Sequence, residues 1–484
     1  MISIYNTLSG KKEILKKPFA RKLKMFVCGP TVYDYLHIGN ARTFMVFDLL
    51  AKYLRSRGYK IYYLMNVTNV DDKIIARAKE KNESPQELAD EFEALFFKNM
   101  DWLGIDSVNT YARATDHIKE VIGQVKTLIK RGNAYEIPGD PSTGQAGGWY
   151  FDLTSFKNYG KLSHRSVAGA EDGVSRIDES IKKKNTGDFC LWKFSRSPED
   201  LPTFIHEHHS KGFRIVDGEP SWETALGWGR PGWHIEDTAI SEHYFGPQYD
   251  IHGGGIDLKF PHHEAEIAQQ ESASRKAPFV RYWVHSGALT VNGAKMSKSL
   301  NNFVTIEDLL KNYTGQEFRM FTLMHHYRSP VDYNTEALNT ARKHLADIQV
   351  FLAKLDLMHP KKTDSSLAVN SFAEKYYAVM DDDFNSPGGL GVLFGLMNEV
   401  NPQMFEISRS QAKQVKQFLL NALTGLGFTN LELKIDSKVL DMAKDRELSR
   451  VNKQFNQSDE LRKKIEALGY TVEDTPAGPL VLPR

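Results

Sequence analysis

The stretch that most restricts how this chain can fold is Met25 to Asp48, MFVCGPTVYDYLHIGNARTFMVFD. Met25, Phe26 and Val27 make an apolar run that ends at Cys28, where Gly29 and Pro30 break it. His37-Ile38-Gly39-Asn40 then opens an amphipathic run, Ala41 to Tyr53. The pattern reads as strand, loop and helix. Unpaired N–H groups at a helix start, with the positive end of its dipole, favour an anion, and Gly39 has no Cβ to hold a flat ligand off the backbone. A nucleotide phosphate fits such a place. H-x-G-N alone is equally the start of a capped core helix with an incidental histidine.

The alternation continues. Ser3 to Leu8 and Met25 to Cys28 read as strands around a basic loop, and KIYYLMNV, Lys60 to Val67, is rich in β-formers after the helix of residues 41–57. Helical patterns follow over Lys73–Asn82, Pro85–Leu103 and Thr115–Gly132. Strands alternating with helices predict an α/β fold, a doubly wound parallel sheet whose ligand sits at the strand C-termini. From about Asn133 to Arg230 the character shifts to Gly, Pro, short strands and charge runs, which predicts an inserted domain. Within it Lys182, Lys183 and Lys184 read as a solvated face or a phosphate contact. His206, His208 and His209 lack Cys or acids at metal spacing and read as an exposed loop. Beyond residue 300 the periodicity is helical over Ile306–Tyr313, Gln316–His325, Thr335–Leu357, Val369–Met380 and Gln411–Leu426, which predicts a bundle. Asp436–Arg484 holds one amphipathic run with Arg446, Arg450, Lys453, Arg462, Lys463 and Lys464 among interleaved acids.

Composition narrows the class. A chain of 484 residues, 41% hydrophobic, can bury several cores. A net charge of +1 gives no whole-molecule attraction to nucleic acid, so RNA contacts must come from local patches. Cys28 and Cys190 cannot make a disulfide framework, which suits a reducing compartment, and Cys190 sits at an apolar position in Phe189-Cys190-Leu191-Trp192. No stretch approaches the ~20 apolar residues that span a bilayer. The expectation is a cytoplasmic enzyme without a membrane partner.

A second motif gives the first its meaning. Lys295-Met296-Ser297-Lys298-Ser299 spells KMSKS, followed by Leu300-Asn301-Asn302. By itself it is a basic turn. Paired with a histidine at a helix start, its two lysines supply donors for in-line attack on an α-phosphate and for the departing pyrophosphate. With these two signatures in this order the chain resembles the class I aminoacyl-tRNA synthetases, and within them the cysteinyl-tRNA synthetase family. The resemblance runs through IYNTL (4–8), CGPTVYDYLHIGNAR (28–42), NVTNVDDKII (66–75), GRPGWHIE (229–236), DIHGGGIDLKFPHHEAEIAQ (250–269), WVHSGALTVNGAKMSKSLNN (283–302) and MDDDFNSP (380–387).

The resemblance implies a Rossmann-like catalytic domain in two halves, 1–132 and 231–300, split by a connective insertion, 133–230. It further implies a stem-contact region, 301–340, a helical bundle, 341–430, and an anticodon-binding end, 431–484. The activity implied is ATP-dependent joining of L-cysteine to tRNA(Cys) through cysteinyl adenylate, by a monomer, with magnesium accompanying ATP. His37, Asn40, Lys295 and Lys298 would be catalytic. Gly39, Gly254, Asp257 and Lys298 would hold ATP, with Asp257 accepting from ribose hydroxyls rather than merely capping a helix. Cys28, Thr68 and Trp233 would line the cysteine pocket, where Thr68 is otherwise a strand-end residue and Trp233 a core one. Family members hold a zinc ion, and the corresponding ligands here are Cys28, Asp237, His262 and Glu266. His262 and Glu266 lie four apart on one helix face. This chain reads Trp233-His234-Ile235-Glu236-Asp237 where the family has a second cysteine, so a carboxylate stands in for a thiolate. Zinc accepts carboxylates as well as thiolates, and the alternative is a metal-free Asp–His–Glu network.

The chain departs from the family pattern in two further places. Residues 196–218 form an extra excursion, and the tail after Asp474-Thr475-Pro476-Ala477-Gly478 lacks the usual tryptophan. Two rival activities remain: a cysteine ligase acting on an amino sugar, as in mycothiol synthesis, and an inactive RNA-binding paralogue.

Overall fold

The computed structural model describes residues 1–139, 147–165, 182–195, 212–216, 218–296, 302–357 and 368–483. These form two compact units: residues 1–312 with 327–332, and residues 313–326 with 333–484.

The first unit opens with a hairpin, β1 (Ser3–Asn6) and β2 (Lys11–Ile14), so the basic loop expected after the first strand contains a second one. β3 (Leu23–Val27), α1 (Ile38–Ser56), β4 (Ile61–Val67), α2 (Asp72–Lys81), α3 (Pro85–Trp102) and β5 (Thr110–Arg113) follow, then α4 (Ile118–Lys130). Helix starts are fixed by side chains that accept the first free N–H groups: His37 for α1, Asp71 for α2 and Ser84, in a reciprocal pair with Glu87, for α3. α1 therefore begins three residues before Ala41, where its amphipathic run was expected to begin.

Residues 134–231 then form an antiparallel sheet: β6 (Ala134–Ile137), β7 (Gly148–Phe151), β8 (Phe189–Phe194), β9 (Phe213–Val216), β10 (Glu219–Trp222) and β11 (Gly229–Pro231), in the order β6-β7-β8-β11-β10-β9. Cys190, on β8, is half-buried rather than buried, because it alternates with Phe189 and Leu191, which face the core. His206, His208 and His209, like most of residues 196–218, lie outside the described residues.

α5 (Trp233–Phe245), β12 (Tyr249–Gly255), α6 (His262–Ser274) and β13 (Val280–Ser286) complete the main sheet, whose five strands are all parallel in the order β13-β12-β3-β4-β5. β3 carries the buried residues Leu23, Met25, Phe26 and Val27, as a strand covered on both faces requires. A hairpin, β14 (Leu289–Val291) and β15 (Ala294–Lys295), then leads toward α7 (Ile306–Leu310).

The second unit begins at α8 (Gly315–Leu323). The chain then returns briefly to the first unit, where Val331, at the start of β16 (Val331–Tyr333), donates its N–H to Ala288. α9 (Thr335–Asp356), α10 (Val369–Asp381) and α12 (Arg409–Gly425) supply expected helices, and α11 (Ser386–Val400) adds one that was not expected. The end differs from expectation: α13 (Ser437–Val451) and α14 (Phe455–Ala467) pack on a hairpin, β17 (Tyr470–Thr475) and β18 (Gly478–Pro483). Lys453 and Gly469, both with left-handed backbone, break what sequence periodicity presents as one run. Val439, Ala443, Ile465, Val472 and Val481 form this region's own core. Among the described residues, no helix is long and apolar enough to cross a membrane.

Candidate active site

In the parallel sheet β3 lies between β4 and β12, and the chain departs from this pair in opposite directions along the sheet. A crevice opens where strand order reverses, at the C-terminal ends of β3 and β12. Cys28 follows β3 directly and donates its backbone N–H to Gly253 of β12 at 3.1 Å. Gly29 comes next because nothing larger fits: a Cβ there would lie 1.8 Å from the Asn66 carbonyl oxygen. Asn66 in turn accepts the Gly29 N–H through Oδ1 at 2.7 Å.

α6 supplies the opposite wall and is unusual in composition. His262, His263, Glu264, Glu266, Gln269, Gln270 and Glu271 are all buried, although the helix reads as polar on every side. Buried polar groups persist where they are paired or used. His262 Nε2 lies 2.9 Å from Asp237 Oδ2 and 3.1 Å from Glu266 Oε1, and Cys28 Sγ is 3.9 Å from the same glutamate oxygen. The four residues expected to act as metal ligands, drawn from β3, α5 and α6, thus bring one donor atom each within 4.8 Å of one another. Sequence reasoning missed a second group: His252 Nε2 and His263 Nε2 lie 3.3 and 3.2 Å from Cys28 Sγ, and with Glu266 they make another buried four-donor set. Behind them His263 Nδ1 contacts His285 Nε2 at 2.9 Å, His285 Nδ1 contacts Thr7 Oγ1 at 2.8 Å, and His234 Nδ1 contacts His262 Nδ1 at 2.8 Å.

Burial pushes the imidazoles of His234, His252 and His263 well below the usual histidine range, reinforced by their neighbouring rings, and takes His285 down to about 3. It pushes the Cys28 thiol and the Glu266 carboxyl well up, with the negative charge of Asp237 adding to both. Among the described residues no lysine or arginine pairs with Asp237 or Glu266, and Glu266 Oε2 makes no hydrogen bond. A divalent ion would supply positive charge here. Tetrahedral zinc, with bonds of about 2.0–2.3 Å, sets its donors roughly 3.3–3.8 Å apart, close to the spacing seen here. The residues fit zinc.

Around this cluster Asn66 Nδ2 donates to Asp237 Oδ1 at 2.6 Å and to Thr68 Oγ1 at 3.3 Å, and Thr68 Oγ1 donates to Glu236 Oε2 at 3.0 Å. Thr68 is buried and is the hinge of this network. Burial, and next the negative charge of Asp237, push the carboxyl of Glu236, which the sequence did not flag, well above the usual carboxylate range. Trp233 stacks on His262 at 4.3 Å between centroids yet stays 36% exposed, with Lys73 Nζ 5.6 Å from its ring; it forms a rim rather than a core residue.

The nucleotide side lies at the start of α1. The first free N–H groups of that helix are not left open as expected: Gly39 and Asn40 donate to His37 Nδ1 at 3.1 and 3.3 Å, while His37 N–H is 3.4 Å from Asn40 Oδ1. Because Nδ1 accepts from two backbone N–H groups, the ring proton sits on Nε2, and burial lowers the His37 pKa. A Cβ on Gly39 would come within 2.8 Å of the His37 ring and 3.4 Å of Met296 Cε, which places the KMSKS methionine beside HIGN. Ile38 N–H donates to Val304 at 3.1 Å and Ile306 N–H to Leu36 at 3.0 Å, so the chain after the motif is laced to the chain before α1. Lys295 is exposed at the end of β15, while Ser297 to Asn301, including Lys298, lie outside the described residues. In the glycine run of β12 the missing side chains make room for protein atoms: a Cβ on Gly253 would strike Phe47, one on Gly254 would meet His263 at 2.8 Å, and one on Gly255 would meet Asp257 Oδ1 at 2.4 Å. Asp257 itself is exposed, in the short 3-10 turn after β12, and its charge acts on His37.

Comparison with known proteins fits this arrangement. Residues 15–343 match the catalytic domain of class I (C) tRNA synthetases, and residues 375–430 match the DALR domain. The chain is 38% identical over 496 residues to a cysteine–tRNA ligase of Thermococcus gammatolerans, covering 99% of this chain and 98% of the relative. It is also 38% identical to a cysteine–tRNA ligase of a Geobacillus species, with the same coverage. Among solved structures it resembles Mycobacterium tuberculosis methionyl-tRNA synthetase in complex with methionyl-adenylate, with a TM-score of 0.58, 15% identity and 84% and 89% of the two chains covered. The leucyl enzyme of an Agrobacterium radiobacter ternary complex with tRNA gives a TM-score of 0.59 at 11% identity, covering 84% of each chain. At such identities the structural likeness speaks for the fold alone.

Proposed function

Because this chain belongs to the cysteine–tRNA ligase family of class I synthetases, we propose that it activates L-cysteine with ATP and transfers it to tRNA(Cys) at the site just described. The observation that carries the reading is the juxtaposition of His37, Gly39 and Met296 at the mouth of a crevice whose floor is Cys28, Asp237, His262 and Glu266. One end of the crevice suits a phosphate and the other a sulfur atom. Identity across nearly the whole length, including the part beyond the catalytic domain, supports a tRNA acceptor over an amino sugar.

The cysteine carboxylate attacks the α-phosphate of ATP, which enters with magnesium, and pyrophosphate leaves. His37, with Nδ1 engaged by the backbone, offers Nε2–H to a phosphate oxygen. Asn40 uses Oδ1 on the His37 N–H and keeps its NH2 group to donate. These donors are aimed before the substrate arrives, so stabilising the charge that grows on the phosphoryl oxygens needs little reorganisation. Lys295 and Lys298 balance the departing pyrophosphate, Gly39 and Gly254 keep the backbone close, and Asp257 accepts from the ribose. Thr68 and Trp233 bound the amino-acid pocket beside Cys28. In the second step a terminal ribose hydroxyl of tRNA takes the cysteinyl group and AMP departs.

Zinc held by Cys28, Asp237, His262 and Glu266 would bind the substrate sulfur as thiolate, an option a serine hydroxyl lacks. Shape alone separates such near-isosteres poorly, by roughly 100-fold in comparable pockets. Asn66 orients Asp237, and His234 fixes the ring of His262 through Nδ1, leaving Nε2 toward the ion.

Cysteine-dependent pyrophosphate exchange and charging of tRNA(Cys) test the reading. Lys298→Ala should lower kcat for exchange far more than it raises KM for cysteine, because the charge it meets develops in the transition state. A wild-type protein that exchanges pyrophosphate with no amino acid, or with serine as readily as with cysteine, overturns the assignment.

A further inference from the structure

We infer that His117, Glu120 and His243 form a binding site for a divalent transition-metal ion of the zinc class, separate from the crevice. The three residues come from three places: the 3-10 turn before α4, the first turn of α4 and the last turn of α5. One donor atom of each lies within 4.8 Å of the others. His117 Nδ1 is 3.8 Å from Glu120 Oε2, His243 Nδ1 is 3.3 Å from Glu120 Oε1, and the imidazole centroids are 5.2 Å apart.

Hydrogen bonding does not account for the His117 side of this geometry. The 3.8 Å separation is too long for a hydrogen bond. His117 is 7% exposed, yet its Nδ1 has no hydrogen-bond partner although it points at the other two residues. A buried imidazole nitrogen left without a partner costs free energy, and a metal bond relieves that cost. Donors sharing one tetrahedral zinc ion at about 2.0–2.2 Å stand roughly 3.3–3.6 Å apart, within a few tenths of an ångström of the two separations observed. Two imidazoles and one carboxylate are ligands zinc accepts, and they leave a fourth position for water. That position faces solvent, because the side chains of Glu120 and His243 are 27% and 47% exposed. The last turn of α5 also presents the negative end of its helix dipole to a cation. Asp116 adds negative charge beside His117, and Tyr244 packs against both imidazoles. An ion here ties the start of α4 to the end of α5, the helix whose other end carries Trp233 and Asp237.

Cobalt titration of the full-length, chelator-stripped protein tests the site. Cobalt bound with Cys28 gives a thiolate-to-metal charge-transfer band; cobalt on His117, Glu120 and His243 gives only d–d bands. The wild type should bind one equivalent without charge transfer, and zinc should displace it. His243→Gln and Glu120→Gln, both at partly exposed positions, should each weaken that equivalent at least ~10-fold while leaving the charge-transfer band unchanged. Zinc should raise the wild-type melting temperature more than that of either variant. Absence of the charge-transfer-free equivalent from the wild type, or its persistence in both variants, overturns the inference. Loss of the charge-transfer band alone counts only against metal at Cys28.

Discussion

His262 Nε2 stands 2.9 Å from Asp237 Oδ2, so the residue that replaces a thiolate in this chain faces the histidine with which it would share an ion. The exchange retains the negative charge but trades a soft donor for a hard one. Purified protein should therefore hold about one zinc at this site, bound less tightly than in an Asp237→Cys variant. Asp237→Ala should lose this ion and with it the preference for cysteine over serine, while ATP still binds. Metal analysis combined with cysteine and serine activation, before and after chelation, decides the matter: a metal-free wild type that still selects cysteine removes zinc from the account.

His37 serves two ends, and two substitutions separate them. His37→Ala should lower kcat for pyrophosphate exchange by about 10²–10³ and also cost roughly 1 kcal/mol of stability through the lost cap. His37→Asn restores a good capping side chain without the Nε2–H, so its melting temperature should recover while kcat does not. If kcat recovers with the cap, the histidine acts only as a helix start.

His285 sets a pH dependence. Its folded pKa, about 3, lies far below that of an unfolded histidine because burial and Lys259 disfavour the charged ring. The unfolded chain takes up this proton first. Stability from the neutral ring is therefore complete above about pH 6.5 and is lost as pH falls toward the folded value, by up to ~1.4 kcal/mol per unit. Glu236 and Glu266, raised by burial, work in the opposite sense, so the overall curve mixes both effects. The difference between wild type and His285→Gln isolates the one group. Relative to wild type, the variant should gain stability as pH drops from 6.5 to 5; denaturant midpoints that keep a constant gap overturn this.

Removing residues from 436 onward should spare cysteine-dependent exchange and weaken tRNA charging. α13, α14 and the β17–β18 hairpin have their own core and their own ion pair, Arg446 with Asp474, so the cut follows a packing boundary. Loss of both activities in a folded truncate contradicts the division of labour.

Much of this was readable in the sequence because it is local. Capping needs only neighbours, so the expected starts of α1, α2 and α3 fall within three residues of the observed ones, although Asp71 and Ser84 were not read as the caps. His262 and Glu266 share a helix face by spacing. What sequence hides is where strands of a parallel sheet end in space. His252 lies within β12, His263 in the first turn of α6 and His285 near the end of β13, in IHGGG, PHHE and VHSG, and the β13-β12-β3 order gathers the first two around Cys28 with His285 behind them. The glycines of β12 have a second use that sequence hides for the same reason: Gly253 and Gly254 also make room for Phe47 and His263, which come from elsewhere in the chain. Glu236 was invisible because its significance depends on Thr68 across the crevice.

Met25 pairs with Ile251, and between these two β residues lie two further strands of the same sheet, the entire antiparallel sheet and helices α1 to α5. Joining chain ends so far apart carries a loop-closure entropy that grows with the logarithm of the distance, and contacts of such separation slow folding. An antiparallel sheet that folds early shortens the effective loop. The crevice can then exist only once the last parallel pairing has zipped, so ATP-dependent cysteine activation would appear late in refolding, after most of the secondary structure has formed.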